Sequence, residues 1–232
     1  MLAGVLMVAA ATTSAAKEDS LAWSLDAVDT EARIVAPPEP GQPAVFQDHD
    51  GAKWKFVCLD PKNPSVVEPL VSSEEFKNFF LAQNGTRFSA SLNVSNPPHQ
   101  KEVFIGARDF DVAVAFVAPK DGVYRVSGKA YLCNESQESP TISLTVSTFA
   151  GGDVTQLSQG DYKISTLDAD FGAIPALQKI RLRAGDELLF IVGRDLSGNT
   201  EGKNDSRWVI RDDRADGVSA ITENPLTVTL LP

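Results

Sequence analysis

From Val45 onward the chain reads as strands and turns, with runs in which apolar residues recur at every second position. In 111-DVAVAFV-117, Val112, Val114 and Phe116 share one face, and in 141-TISLTVST-148, Ile142, Leu144 and Val146 do so. The period returns in 180-IRLR-183, 186-DELLFIV-192, 207-RWVIR-211 and 226-LTVTL-230, and in 53-KWKFVC-58, where Trp54, Phe56 and Cys58 oppose Lys53 and Lys55. Alternation of this kind marks half-buried β-strands. The turn signals PKDG, AGGD, RAGD and LSGN fall between the runs. One stretch has a helical period instead. In 72-SSEEFKNFFLAQNG-85, Phe76, Phe79 and Phe80 form an i, i+3, i+4 stripe. Ser72 or Ser73 can cap it, Glu74 and Glu75 suit its first turn, and Asn84-Gly85 suits its stop. The pattern predicts one short helix around 73–83 plugging an end of the sheets. Many short strands without helix–strand alternation exclude a parallel α/β fold. They predict an all-β protein, an antiparallel β-sandwich of jelly-roll type.

The N-terminal part reads differently. The first sixteen residues, MLAGVLMVAAATTSAA, carry no charged side chain and end in small residues before Lys17-Glu18-Asp19. Ser14 and Ala16 suit a signal-peptidase site, and the apolar run is shorter than the ~20 residues of a membrane span. Residues 1–16 are therefore expected to be a signal peptide, and the protein to be exported. Residues 17–43 hold Pro37, Pro38, Pro40 and Pro43 around Gly41, and are expected to form a proline-rich linker or an edge wrap. Residues 44–232 are expected to form the sandwich domain.

Charge narrows the partners. The formal net charge is −10, which repels phosphate backbones and argues against nucleic acid. The chain has two cysteines, Cys58 and Cys133. Export permits a disulfide between them, closing a loop of roughly 75 residues and contributing about 4 kcal/mol. Facing argues the other way: Cys58 falls with Trp54 and Phe56, whereas Cys133 falls with the polar set of its own strand. Both readings stand on sequence alone.

That polar set is the main candidate surface. In 124-YRVSGKAYLC-133, Tyr124, Val126, Gly128, Ala130 and Leu132 alternate with Arg125, Ser127, Lys129, Tyr131 and Cys133. The first group is expected to face the core and the second to face out. Sugar recognition uses exposed rings flanked by polar groups. Tyr131, Arg125 and Lys129, with Tyr162 as an aromatic on a separate loop, are the candidate ligand-binding residues. Trp54 and Trp208 sit on apolar faces and read as core, and Trp23 falls in the linker. The Gly-rich stretch 193-GRDLSGNTEGKNDSRW-208 offers oxygens from Asp195, Asn199 and Asp205 for a structural Ca²⁺, without EF-hand spacing. Four sequons occur, at Asn84, Asn93, Asn134 and Asn204.

Catalytic chemistry is thinly supplied. His49 and His99 are the only histidines, and neither has a strand-elbow serine or a cysteine partner at recognisable spacing. Zinc-type HxxxH and CxxC spacings do not occur. The acids gather in turns, at Asp109, Asp121, Asp153, Asp161, Asp168, Asp170 and Asp186, where turn geometry accounts for them.

The phrase 112-VAVAFVAPKDGVYRVSGKA-130, followed by Leu182, Ala184-Gly185-Asp186 and Phe190-Ile191-Val192-Gly193, resembles a family of exported bacterial jelly-roll domains of planctomycete type. Asp205-Ser206 before a strand containing Ile210, and 51-GAKWKF-56 upstream, are similar as well. The APxDGxY and AGD turns also resemble the jelly rolls of complement heads and tumour necrosis factor. The bacterial resemblance implies the fold and export, and carbohydrate binding by analogy with other sandwich modules. The turns themselves are mechanical: Pro119 presets φ, and Asp121-Gly122 is expected to supply a left-handed position, as is Ala184-Gly185-Asp186. The leading expectation is a secreted, non-enzymatic module for carbohydrate or a cell-surface partner. The alternatives are an assembly protein forming homo-oligomers through its sheet faces, and a glycoside-active enzyme, which would need two paired carboxylates.

Overall fold

The computed structural model describes residues 21–25, 39–60, 63–74, 79–81, 88–93, 102–106, 111–133, 142–162, 168–193, 207–209 and 226–232. In chain order the strands are β1 (Ala22–Leu25), β2 (Val45–Gln47), β3 (Lys53–Asp60), β4 (Asn63–Pro69), β5 (Val71–Ser72) and β6 (Phe79–Leu81). Next come β7 (Phe88–Asn93), β8 (Glu102–Gly106), β9 (Asp111–Val117), β10 (Gly122–Ser127), β11 (Lys129–Cys133) and β12 (Ile142–Ala150). The last are β13 (Asp153–Tyr162), β14 (Asp168–Asp170), β15 (Ile180–Leu182), β16 (Glu187–Val192), β17 (Arg207–Val209) and β18 (Leu226–Leu230). Among the described residues the only helical pieces are 3-10 turns at His49–Gly51, Phe171–Ala173 and Pro175–Leu177.

The strands form three antiparallel sheets. Sheet I has the order β1-β18-β10-β15, and sheet II the order β14-β11-β17-β8-β7-β6-β5. Sheet III has the order β13-β12-β16-β9-β3-β2, with β4 also paired to β3. Sheet III turns Trp54, Phe56, Val114, Phe116 and Phe190 into the main core. Sheet I meets them with Trp23, Tyr124, Val126 and Val228, and sheet II adds Phe80, Ile105 and Ala130. The fold is thus an all-β antiparallel sandwich. Gly128, at φ 101, hands the chain from β10 in sheet I to β11 in sheet II. That left-handed conformation suits glycine and strains other residues.

Sheet III is also buried on its second face. Val57, Leu59, Ala113, Ala115, Leu189 and Ile191 form a separate apolar cluster, with Val67, Phe149 and Val154 packed against it. These last three come from β4, β12 and β13, the flanks of the same sheet, and β4 reaches β13. The sheet therefore curls over its own outer side. At the margin of this second core, Lys55 Nζ lies 2.5 Å from Glu187 Oε1. Lys55 is directly opposite Ala115, and Glu187 opposite Val117, so both side chains stand on the second-core face. Glu187 Oε2 is buried without a protein partner.

Three expectations change. Phe79–Leu81 is a strand, not part of a helix over 73–83: Val71 pairs with Leu81, Ser72 with Phe80, and β6 continues onto β7. Phe80 is fully buried, 5.7 Å from the Phe46 ring and 5.2 Å from that of Phe56. A short helix has a costly nucleus and only local bonds, whereas aromatic rings gain most on a pleated, packed surface. Within the span expected to be linker, Ala22–Leu25 is a sheet strand paired to β18, and Trp23 is completely buried. Pro43 makes an isolated bridge to Val71. Gly122 is absent from the left-handed positions, which include Gly185 at φ 88. It is small because an added Cβ would meet Leu230 Cδ1 at 2.3 Å. The signal segment 1–16 lies outside the described residues.

Trp23→Ala should destabilise the protein by about 3–5 kcal/mol, the cost of emptying a fully buried large side chain. Urea unfolding measures it; a loss within surface-substitution range would mean β1 is dispensable. For the ion pair, Lys55→Met alone leaves a buried carboxylate uncompensated and should cost about 3–5 kcal/mol, while Lys55→Met with Glu187→Leu should recover most of that. A double variant no more stable than the single would show that the two charges do not act as a pair.

Candidate functional site

The motif 118-APKDGVY-124 is a clasp between two turns. The Asp121 carboxylate accepts the Ala184 N–H at 2.8 Å, and the Asp186 carboxylate accepts the Arg183 N–H at 2.8 Å. Backbone bonds from Gly185 N to Ala118 O and from Ala118 N to Asp186 O, each 2.9 Å, complete the junction. Tyr124 lies fully in the core and its hydroxyl donates to Lys120 O at 2.6 Å. Both motifs that carry the family resemblance therefore fix strand ends to each other. They leave β10 in a defined register with β15 and β18, and this register builds the surface above it.

The expected inside–outside assignment of this stretch holds for the side chains described. Tyr124, Val126 and Ala130 are buried, Arg125 is exposed, and Ser127 and Lys129 are half-buried. The four expected ligand-binding residues fall on three sheets. Arg125 stands on sheet I, Lys129 and Tyr131 on sheet II, and Tyr162 on sheet III, where it ends β13 rather than sitting in a loop. The break at Gly128 separates Arg125 from the other two. Lys129 instead sits across from Asp170, and Tyr131 across from Asp168 and Val209. Asp195, Asn199 and Asp205 lie outside the described residues.

What gathers around Arg125 is a different set. Arg125 is opposite Thr229, and Ser127 opposite Thr227, whose hydroxyl lies 2.9 Å from that of Ser24 on β1. On the other side Val123 is opposite Arg181. Directly paired positions share a sheet face, so Arg125, Ser127, Thr227, Ser24 and Arg181 all stand on the outer face of sheet I. Lys179 and Arg183 flank this three-residue strand, one before its start and one after its end. Arg125, Lys179, Arg181 and Arg183 are exposed, and among the described residues none of them is in an ion pair. Sequence reading found Arg125 but not Arg181. The 180-IRLR-183 alternation was visible; its adjacency to 124–127 depends on a pairing between strands far apart in the chain.

A second constellation escaped the sequence reading. The Asp48 carboxylate, with 1% of its side chain exposed, accepts from His49 N at 2.7 Å, contacts His49 Nδ1 at 2.7 Å and accepts Trp54 Nε1–H at 3.0 Å. His49 Nε2 lies 3.8 Å from Asp50 Oδ2, and the imidazole is 45% exposed. Trp23 stacks on this ring at 5.8 Å and donates Nε1–H to His49 O at 3.0 Å. A carboxylate behind an exposed imidazole is an acid–base geometry. Its evident work here is to tie β1 to the turn between β2 and β3. Among the described residues, no group of His, Cys, Asp and Glu converges to hold a metal ion.

Cys58 is a buried free thiol, 3.6 Å from Glu68 O. Burial pushes its pKa up, helped by the nearby Glu68 charge, and burial likewise raises that of Tyr124. In each case the folded state keeps its proton to higher pH than the unfolded chain. The associated stability is complete below the unfolded pKa and is lost as pH rises through the folded one. The melting temperature should therefore fall more steeply above about pH 9 than between about pH 7 and 8. In Tyr124→Phe and Cys58→Ala variants, whatever their starting stability, that alkaline decline should be shallower. An identical alkaline slope in both variants would remove these two groups as its cause.

The chain matches no protein-family model and no curated protein sequence, so the chemistry of its own surfaces carries the functional reading.

Proposed function

We propose that the protein is an exported, non-enzymatic binding module whose ligand is a carbohydrate. The observation behind this reading is the outer face of sheet I. Arg125 stands there two residues along β10 from Ser127, whose cross-strand neighbours are Thr227 and then Ser24, and Arg181 stands on the adjoining strand opposite Val123. Guanidinium groups donate and hydroxyls both donate and accept, the complement a sugar's own hydroxyls require. The supports are strands, which hold polar groups more firmly than loops do. The turn clasp beneath fixes β10 against β15, so the spacing of the face is set before any ligand arrives. Export, in this proposal, depends on residues 1–16 acting as a signal. Among the described residues no helix is long and apolar enough to cross a membrane.

The test is a panel of immobilised polysaccharides, neutral and acidic, exposed to the full chain. Retention on at least one, reversed by the same polysaccharide in solution, is the expected result. A folded protein that is retained on none of them would end the carbohydrate reading.

A further inference from the structure

We infer that the outer face of sheet I selects acidic polysaccharide, chains bearing carboxylate or sulfate groups along a sugar backbone. This rests on the carbohydrate reading and narrows it. The chain as a whole carries −10, yet Arg125 and Arg181 stand on one side of one small sheet, and the exposed Lys179 and Arg183 flank the strand that carries Arg181. Successive outward residues on a strand lie about 6.8 Å apart, and diagonal neighbours about 7–8 Å. The cations therefore form a short grid rather than a point, suited to charges repeated along a polymer.

Among the described residues, the acids in the adjoining turns hold backbone N–H groups. Asp121 holds the Ala184 N–H and Asp186 holds the Arg183 N–H, both in the turn clasp. Neither neutralises a guanidinium in an ion pair. Arginine binds carboxylate and sulfate oxygens through two parallel N–H donors, which gives direction as well as attraction. Ser127 and Thr227 lie between the cationic side and β1, placed to meet sugar hydroxyls. The net negative charge of the rest of the molecule disfavours densely charged partners such as duplex nucleic acid or an anionic membrane. A polysaccharide with separated charges fits a local cationic grid on an acidic protein.

The experiment compares dextran, dextran sulfate and polygalacturonate as soluble ligands for the full chain, with duplex DNA and anionic phosphatidylserine vesicles as further arms. Expected are binding of at least one of the two acidic polymers at least about ten-fold tighter than dextran, and weakening with added salt as exposed charges are screened. Arg125→Ala with Arg181→Ala should remove that preference and leave the melting temperature unchanged. If that pair disturbs the fold, Arg181→Ala alone, at an exposed position on the edge strand, reads the same face. Equal binding of dextran and the acidic polymers would overturn the charge inference while leaving carbohydrate binding in place. Binding of no polysaccharide would remove both. Tighter binding of DNA or vesicles than of either acidic polymer, or an acidic preference that survives these substitutions, would also overturn it.

Discussion

Strand β9 has to be covered twice. Every side chain from Val112 to Phe116 is buried, so sheet III needs an apolar partner on each side. Doubly buried strands are the rule in parallel sheets clad with helices, but here the sheet is antiparallel and no helix serves. Sheets I and II cover one side. The other is covered by the sheet's own flanks, as β4 and the β12–β13 hairpin fold toward each other. Ala113 and Ala115 on that side are small, which leaves room for this close approach. The division explains where polar chemistry can live. Both faces of the middle of sheet III are consumed by packing, whereas the outward face of sheet I carries the exposed Arg125 and Arg181.

Much of the fold was legible because alternation records burial on one side. The runs at 111–117, 180–182, 187–192 and 226–230 are strands in the structure, at nearly the expected bounds. What alternation could not convey was partnership. Trp23 looked like linker because its neighbours are polar and prolines follow; only the pairing of β1 with β18 makes it core. Phe79 and Phe80 matched a helical spacing, yet β5 and β7 offered them a sheet to join. Glycine was legible as a turn residue but not for its reason at position 122, where the contact with Leu230 comes from the far end of the sequence.

The candidate site was half legible for the same cause. Alternation placed Arg125 outside and Tyr124 inside, and both are there. It also treated 124–133 as one strand. Gly128 divides it, and residues that share a period then stand on different sheets. The motifs most distinctive to the eye, APKDGVY and RAGD, turn out to hold each other. Their mechanical part is to fix strand ends, and with them the register of the strands that carry Arg125 and Arg181.

The pairing of β1 with β18 has a further consequence, in time rather than in space. Ser24 and Thr227 touch across 203 residues of sequence, and such distant contacts slow folding because the intervening chain must first be ordered. During synthesis Trp23 emerges early, but the strand that seats it is made only after β17. Until then β1 has no sheet partner and one edge of β10 is unpaired. Sheet III has all its strands by Val192, whereas sheet I can close only once β18 has been made.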